Sequence, residues 1–335
     1  MLAVRVHPEG LRIDEIETPS PGTGAVLVRV HAAAITRDEL EWPTDRLPAI
    51  VSYELSGVVV DTGEKVFALT PFDRDGVAAE YAAVPAEVLA RKPASLSHVE
   101  AAALPMGGLS AWQGLFDRGR LRRGERVVVT GSGGGVGQLA VQLARHAGAD
   151  VVEDGPADLV FDTVGGSLPT AGRVVTIAAE APGADYFVVE PNREQLGELA
   201  RLADGGELRP AVDSTFPLER ARAAFERVAA RGKRGKVVFD VGGSEPGREG
   251  GGVPRPPRGR VLPDLESLGR RLGACARGTR LQGARDRLPG DARSRERQRP
   301  GVIGPIGASL RDCCAHRALA VALGARYFLT QSLTG

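Results

Sequence analysis

Cysteine is scarce in this chain: three in 335 residues, Cys275, Cys313 and Cys314. Three thiols cannot build a disulfide framework or a four-cysteine zinc site. Aromatic residues are also few, at 4%. No stretch approaches the roughly eighteen consecutive apolar residues of a membrane span, so a membrane protein is not expected. The opening MLAVRVHPEG carries no long apolar core, which points to a cytoplasmic protein. An excess of one charge is missing too. The formal net charge is +1, so the whole-chain balance argues for neither a nucleic acid nor an anionic membrane as partner.

Lysine is absent from residue 243 onward. Residues 243–335 hold 17 Arg and 8 acidic residues, with 16 Gly, 8 Pro and every cysteine. Only Tyr327 and Phe328 are aromatic there. Such a segment cannot bury enough apolar surface to offset its ordering entropy, and a disordered tail is expected. An arginine-rich arm for nucleic acid fits less well, because no aromatic residues interleave for base stacking. Out-of-frame sequence from a GC-rich gene fits the lysine deficit. Cys313-Cys314 with His316 lacks at least two ligands of a zinc site.

What is present lies in residues 1–242. The first 115 residues read as mostly β, with alternating runs such as VRVHPEGLRIDEIE and AVLVRVHAAAI separated by PSPGTG and DTGE turns. HVEAAALPMGGLSAWQGLF reads as helix interrupted at Pro105 and at Gly107-Gly108. From residue 116 to 242 strands and amphipathic helices alternate, and GKVVFDV reads as the closing strand. A β domain followed by βαβ units predicts a substrate domain fused to a dinucleotide-type domain, an α/β fold overall.

The central motif is VVVTGSGGGVGQLAVQLARHAG, a buried strand, a glycine loop and a helix. Gly131, Gly134 and Gly137 form GxxGxxG rather than GxGxxG. Glycines let the backbone turn tightly and let a pyrophosphate approach, while the helix N-terminus offers free N–H groups. Ser132, Gly135 and Val136 complete the candidate loop. No Gly-Lys-Ser/Thr follows, so a P-loop is excluded.

Five segments in order are similar to the zinc-independent quinone oxidoreductase branch of the medium-chain dehydrogenase/reductase superfamily. They are LPAIVSYELSGVVV, AAALPMGGLSAWQGLF, the glycine loop, FDTVGG and PLERARAAFERVAARGKRGKVVF. The resemblance covers residues 1–242 and implies a GroES-like substrate domain (1–115) with a Rossmann-type doubly wound parallel sheet (116–242). It implies reduction of a quinone or activated enone by NADPH, with NADH not excluded. It also implies a homodimer formed through an edge strand of the Rossmann sheet, for which ADYFVVEP is the candidate. An enoyl reductase acting on a thioester or polyketide intermediate is the nearest rival. A degenerate non-catalytic paralogue is a second.

By the same resemblance Ser110, Thr163, Val164 and Gly165 lie beside the nicotinamide, and Lys236 lies near the cofactor. Tyr53 is a candidate proton donor to the developing enolate or quinol oxygen, with a core or rim tyrosine whose hydroxyl is satisfied the favoured reading. Thr36 stands where the family often has an orienting Asn. Asp38, Glu39 and Trp42 are candidates for the substrate mouth, with an ordinary loop the favoured reading of Glu39. The zinc branch has a Cys where this chain reads Ile35-Thr36-Arg37-Asp38, and Gly-His-Glu where it reads Ser52-Tyr53-Glu54. No metal is therefore expected, and His7, His31, His98 and His146 are read as surface or satisfied structural histidines.

The chain is shorter than the family pattern in three places. Four residues, Asp61 to Glu64, link two strands where the family has a longer loop. Five residues, Glu153 to Ala157, replace a whole strand-and-helix repeat. Six, Ser167 to Gly172, stand where a parallel crossover usually needs about a dozen. Either those strands are not parallel neighbours, or the sheet is incomplete with exposed edges. Glu153 and Asp154 lie near the position of the acid that binds an NAD ribose, which leaves NADPH resting on the resemblance alone.

Overall fold

A computed structural model describes residues 1–42 and 46–242. The segment 243–335, expected to be a disordered tail, lies outside the described residues. Eight strands come first: β1 (Leu2–His7), β2 (Gly10–Glu15), β3 (Ala25–Ile35), β4 (Ala49–Ile50), β5 (Glu54–Val59), β6 (Lys65–Leu69), β7 (Tyr81–Pro85) and β8 (Ala90–Arg91). Helices α1 (His98–Ala102) and α2 (Pro105–Trp112) follow, then β9 (Arg126–Val129), α3 (Gly137–His146), β10 (Asp150–Val152), β11 (Ala157–Asp162), β12 (Ala171–Thr176) and β13 (Asp185–Tyr186). The remainder is α4 (Arg193–Asp204), β14 (Val212–Phe216), α5 (Ala221–Ala229) and β15 (Lys236–Asp240).

Three sheets result. β2-β1-β4 is small, and β14-β15-β3-β5-β6-β8 is the large sheet, with β7 also on β3. The third, β10-β9-β11-β12-β13, is parallel throughout. Its order is that of the doubly wound dinucleotide fold with the third position missing. The chain leaves β9, returns as β10 on one side, then crosses to β11 on the other. The crevice at a switch point of this kind is where such sheets bind ligands.

Two expectations are corrected here. GKVVFDV does not close the parallel sheet. β15 pairs antiparallel with β3, Val237 opposite Ile35 and Phe239 opposite Ala33, and β14 pairs parallel with β15. Burial explains this. Val237, Val238 and Phe239 are fully buried, and Val237 and Phe239 complete a core with Val28, Val30, Leu55 and Phe225. β14 and β15 thus return to the sheet of β3, β5, β6 and β8, so residues 116–242 do not all belong to the parallel sheet. Gly107-Gly108 does not interrupt a helix either, since both lie inside α2. A Cβ on Gly107 would stand 2.9 Å from the Gly135 carbonyl oxygen, and one on Gly108 would stand 2.8 Å from Leu199. These glycines permit close helix approach. Pro105, at the first turn of α2, does mark the break after α1.

The shortened connections keep their strands parallel. β11 and β12 are parallel neighbours joined by residues 163–170 with no helix. β10 pairs with β9 alone and is an edge strand among the described residues. At the other edge β13 covers only Asp185–Tyr186 of ADYFVVEP, and Val188 beyond it is 56% exposed.

Candidate active site

The glycine loop sits at the switch point. Gly131 lies in the turn just after β9 with φ +65°, and a Cβ there would stand 2.5 Å from Thr163 Oγ1 and 2.6 Å from Val164 Cγ1. Only glycine combines that backbone conformation with that contact. The Gly134 N–H donates to the Gly131 carbonyl at 2.8 Å. A Cβ on Gly137, the first residue of α3, would stand 2.2 Å from the same oxygen. Gly133, by contrast, has nothing within 4 Å of a Cβ position, and Ser132 and Gly133 are exposed. The loop is therefore tight on its protein side and open on its outer side. Val136 packs half-buried against the core. This cradle, at the N-terminus of a ten-residue helix, fits a pyrophosphate.

Thr163 and Val164 are brought against the loop, with Gly165 next in the same turn. The Thr163 hydroxyl donates to the Thr130 carbonyl at 2.7 Å, and Thr130 Oγ1 accepts from the Thr163 N–H at 3.0 Å. Asp162, which sequence reasoning passed over, organises the whole corner. It is 2% exposed. Its Oδ1 accepts from the Thr130 hydroxyl at 2.6 Å and from the N–H groups of Val164 and Gly165 at 3.2 and 2.9 Å. Its Oδ2 accepts from the Thr176 hydroxyl at 2.8 Å. One carboxyl group thus ties together the ends of β9, β11 and β12. The signal was present as the Asp of DTVGG at a strand terminus. Ser110, in contrast, is 2% exposed within α2, and the helix meets the loop through Gly107 instead.

Lys236 lies where two parts of the chain converge. The register of β15 on β3 sets it opposite Thr36, and its ammonium donates to Thr36 Oγ1 at 3.1 Å. It also pairs with Glu54, whose other carboxyl oxygen accepts the Met106 N–H at 2.9 Å. Its side-chain stem lies under the loop, since a Cβ on Gly135 would stand 2.8 Å from Lys236 Cδ. Burial pushes the Glu54 carboxyl up against the pull of Lys236. The Thr36 hydroxyl donates in turn to Met106 Sδ at 3.2 Å.

Glu39 overturns the ordinary-loop reading. It is 7% exposed, accepts from the Thr36 N–H at 3.0 Å and also accepts from the Ser52 N–H. Ser52 has φ +69°, an uncommon conformation outside glycine, and its hydroxyl donates to the Ala34 carbonyl at 2.7 Å. Burial pushes Glu39 up to about 7, against the opposing backbone bonds and Lys236. Its neighbour Asp38 is exposed.

Tyr53 stands in an aromatic trio. Its ring centroid is 5.8 Å from Trp42 and 5.1 Å from Phe72, and Trp42 lies 5.5 Å from Phe72. Burial raises the phenol above its ordinary value, followed by the influence of Glu39, so it keeps its proton at neutral pH. The other histidines are mostly satisfied. His7 meets Asp14 at 2.7 Å and His146 meets Glu207 at 2.5 Å. His98 differs. It stacks on His31 at 4.4 Å and bonds Ser56 through Nδ1 at 2.8 Å, but its Nε2 has no partner among the described residues. Burial, then His31, lowers it to about 3, so it is neutral in the fold.

The donor set does not fit a catalytic zinc. The carboxyls of Glu39 and Glu54 are held by backbone N–H groups and Lys236 and are not free to ligate an ion, and no thiolate stands among the described residues. Among the described residues no three His, Cys, Asp or Glu gather as a metal group. Nor is any described helix long and apolar enough to cross a membrane.

Comparison with known proteins identifies the family. A family model described as zinc-binding dehydrogenase matches residues 138–239. The chain is 31% identical over 242 residues to a probable zinc-binding oxidoreductase, mitochondrial, of Arthroderma benhamiae, covering 53% of this chain and 73% of that protein. It is 30% identical over 247 residues to the NADPH-dependent alkenal/one oxidoreductase, chloroplastic, of Arabidopsis thaliana, covering 57% of this chain and 64% of that one. The crystal structure of an alcohol dehydrogenase superfamily protein from Novosphingobium aromaticivorans superposes with a TM-score of 0.64 at 27% identity. That match covers 72% of this chain and 99% of the other. The chain belongs to the medium-chain dehydrogenase/reductase superfamily. Its relatives are NAD(P)H oxidoreductases, among them an alkenal/one reductase.

Proposed function

We propose that this chain is a metal-independent NAD(P)H reductase acting on a quinone or an activated enone. The observation that carries the reading is the convergence of the glycine loop, the Asp162 corner and Lys236 at one switch point. The cofactor supplies the hydride when bound. The chain supplies orientation and electrostatics. Loop N–H groups receive the phosphates, and Asp162 holds the loop and the DTVGG turn in register. Lys236 polarises the Thr36 hydroxyl, whose single proton leaves the weak acceptor Met106 Sδ and turns toward a substrate oxygen. Tyr53, protonated at neutral pH, is the proton source, and Trp42 and Phe72 give it flat apolar walls.

The choice between cofactors turns on β10. NADPH is supported by the resemblance and by the Arabidopsis relative. Glu153 and Asp154 follow directly on β10, beside β9, and both are exposed. Acids at the end of the second strand receive a ribose hydroxyl and repel a 2′-phosphate. Fluorescence titration of the full chain is expected to show micromolar binding of a reduced nicotinamide cofactor. The double substitution Glu153→Gln with Asp154→Asn is expected to tighten NADPH by roughly tenfold while leaving NADH unchanged or weaker. Absence of binding of either cofactor at millimolar concentration by folded wild type would sink the reductase reading.

A further inference from the structure

The charge of Lys236 is already committed. Its ammonium is buried on Glu54 and Thr36, so only its stem faces the glycine loop. Another cation stands by the loop. The Lys233 ammonium donates to the Gly235 carbonyl at 2.8 Å. That carbonyl oxygen lies 3.9 Å from where a Cβ on Gly135 would stand. Gly235 also forms a parallel bridge with Gly134, its N–H reaching the Gly133 carbonyl at 3.4 Å. Gly235 cannot drift away from this seam. Its φ is +86°, and a Cβ there would stand 2.1 Å from the Ala211 carbonyl oxygen.

Lys233 has no carboxylate of its own among the described residues. Glu54 and Asp213 both act on it without contact, but Glu54 is committed to Lys236 and Asp213 is spent elsewhere. It takes two bonds of 2.6 Å from Arg227, one from the Ser214 hydroxyl and one from the Arg234 N–H. A half-buried ammonium beside the glycine loop, with no carboxylate in contact among the described residues, is a place for an anion.

We propose that Lys233 is the cation that neutralises the cofactor pyrophosphate, while Lys236 serves the substrate side of the same site. This rests on the reductase reading above. Burial, then Lys236, with Arg37 and Arg227 in the same direction and Asp213 opposing, pushes the Lys233 ammonium down to about 8. Its charge is therefore full at pH 7 and is lost as pH rises through 8, and phosphate affinity is lost with it.

The test is cofactor fluorescence titration of the full chain as wild type, Lys233→Gln and Lys233→Arg, with NADH and NADPH, at pH 7 and pH 9.5. Lys233→Gln is expected to raise Kd at pH 7 roughly tenfold or more for both cofactors alike. Wild type is expected to lose a similar factor between the two pH values, and Lys233→Arg, which stays charged, to lose little. Unchanged affinity in Lys233→Gln would overturn the proposal. So would a loss confined to NADPH, which would place Lys233 at the 2′-phosphate, or an undiminished pH dependence in Lys233→Arg. Wild type that binds neither cofactor would instead overturn the reductase reading itself.

Discussion

Replacing Asp162 with alanine is expected to lower the stability of the chain by about 3 kcal/mol and to abolish cofactor binding. The substitution leaves four donors without an acceptor: the hydroxyls of Thr130 and Thr176 and the N–H groups of Val164 and Gly165. A buried donor deprived of its acceptor costs about 1–3 kcal/mol. The two hydroxyls can rotate toward other acceptors, and Val164 is 64% exposed, so its N–H gains water. The total therefore falls well short of four full penalties. The functional loss does not fall short, because the same carboxyl sets the DTVGG turn against Gly131. Asp162→Asn retains one acceptor oxygen and the shape, and is expected to keep about half the stability and to bind cofactor weakly. Urea denaturation with cofactor titration on the same samples measures both effects. Native-like binding by Asp162→Ala would show that the turn is held by Thr163 alone.

Glu39 is expected to make the protein less stable as pH rises from 4.5 to 7. Its carboxyl is raised from an ordinary 4.5 to about 7 in the fold, chiefly by burial. The folded chain therefore holds a proton that the unfolded chain releases over this window. Below 4.5 both states are protonated and above 7 both are ionised, so the change is confined between them. It amounts to about 3 kcal/mol, from 1.36 kcal/mol per pH unit. Glu39→Gln removes the slope. At pH 5 the variant is expected to be the less stable, because its amide turns an N–H toward the backbone N–H of Thr36 or Ser52. At pH 8, where the wild type carries a buried ionised carboxyl, the two curves are expected to meet or cross. Thermal melts of both proteins from pH 4.5 to 8.5 test this. Parallel curves would mean that Glu39 ionises normally and that Lys236 compensates its burial.

Both residues show what sequence reading reaches and where it stops. Asp162 was visible as a letter in DTVGG, but its four partners come from three strand ends, and no local pattern names them. Glu39 sits in a polar run, Arg37 to Glu41, that has the composition of a loop. It is buried where Ser52, at a positive φ just before β5, presents its N–H to the carboxyl. Gly107 and Gly108 look like helix breakers, and only the neighbours Gly135 and Leu199 show why glycine is required there.

The sequence by itself determined the glycine loop, the strand before it and the helix after it. Each depends on residues within a dozen positions, through hydrophobic period and glycine conformation. It determined equally that residues 1–242 and 243–335 differ in kind, because composition is local. Only the tertiary structure decided that β15 returns to β3 rather than closing the parallel sheet. That pairing brings Lys236 to Thr36 across 200 residues of chain. Its energy comes from burying Val237 and Phe239 in a core that no neighbouring sequence supplies. The short crossovers were decided the same way. Register within a parallel sheet is set by what each strand buries, and a linker need only be long enough to reach.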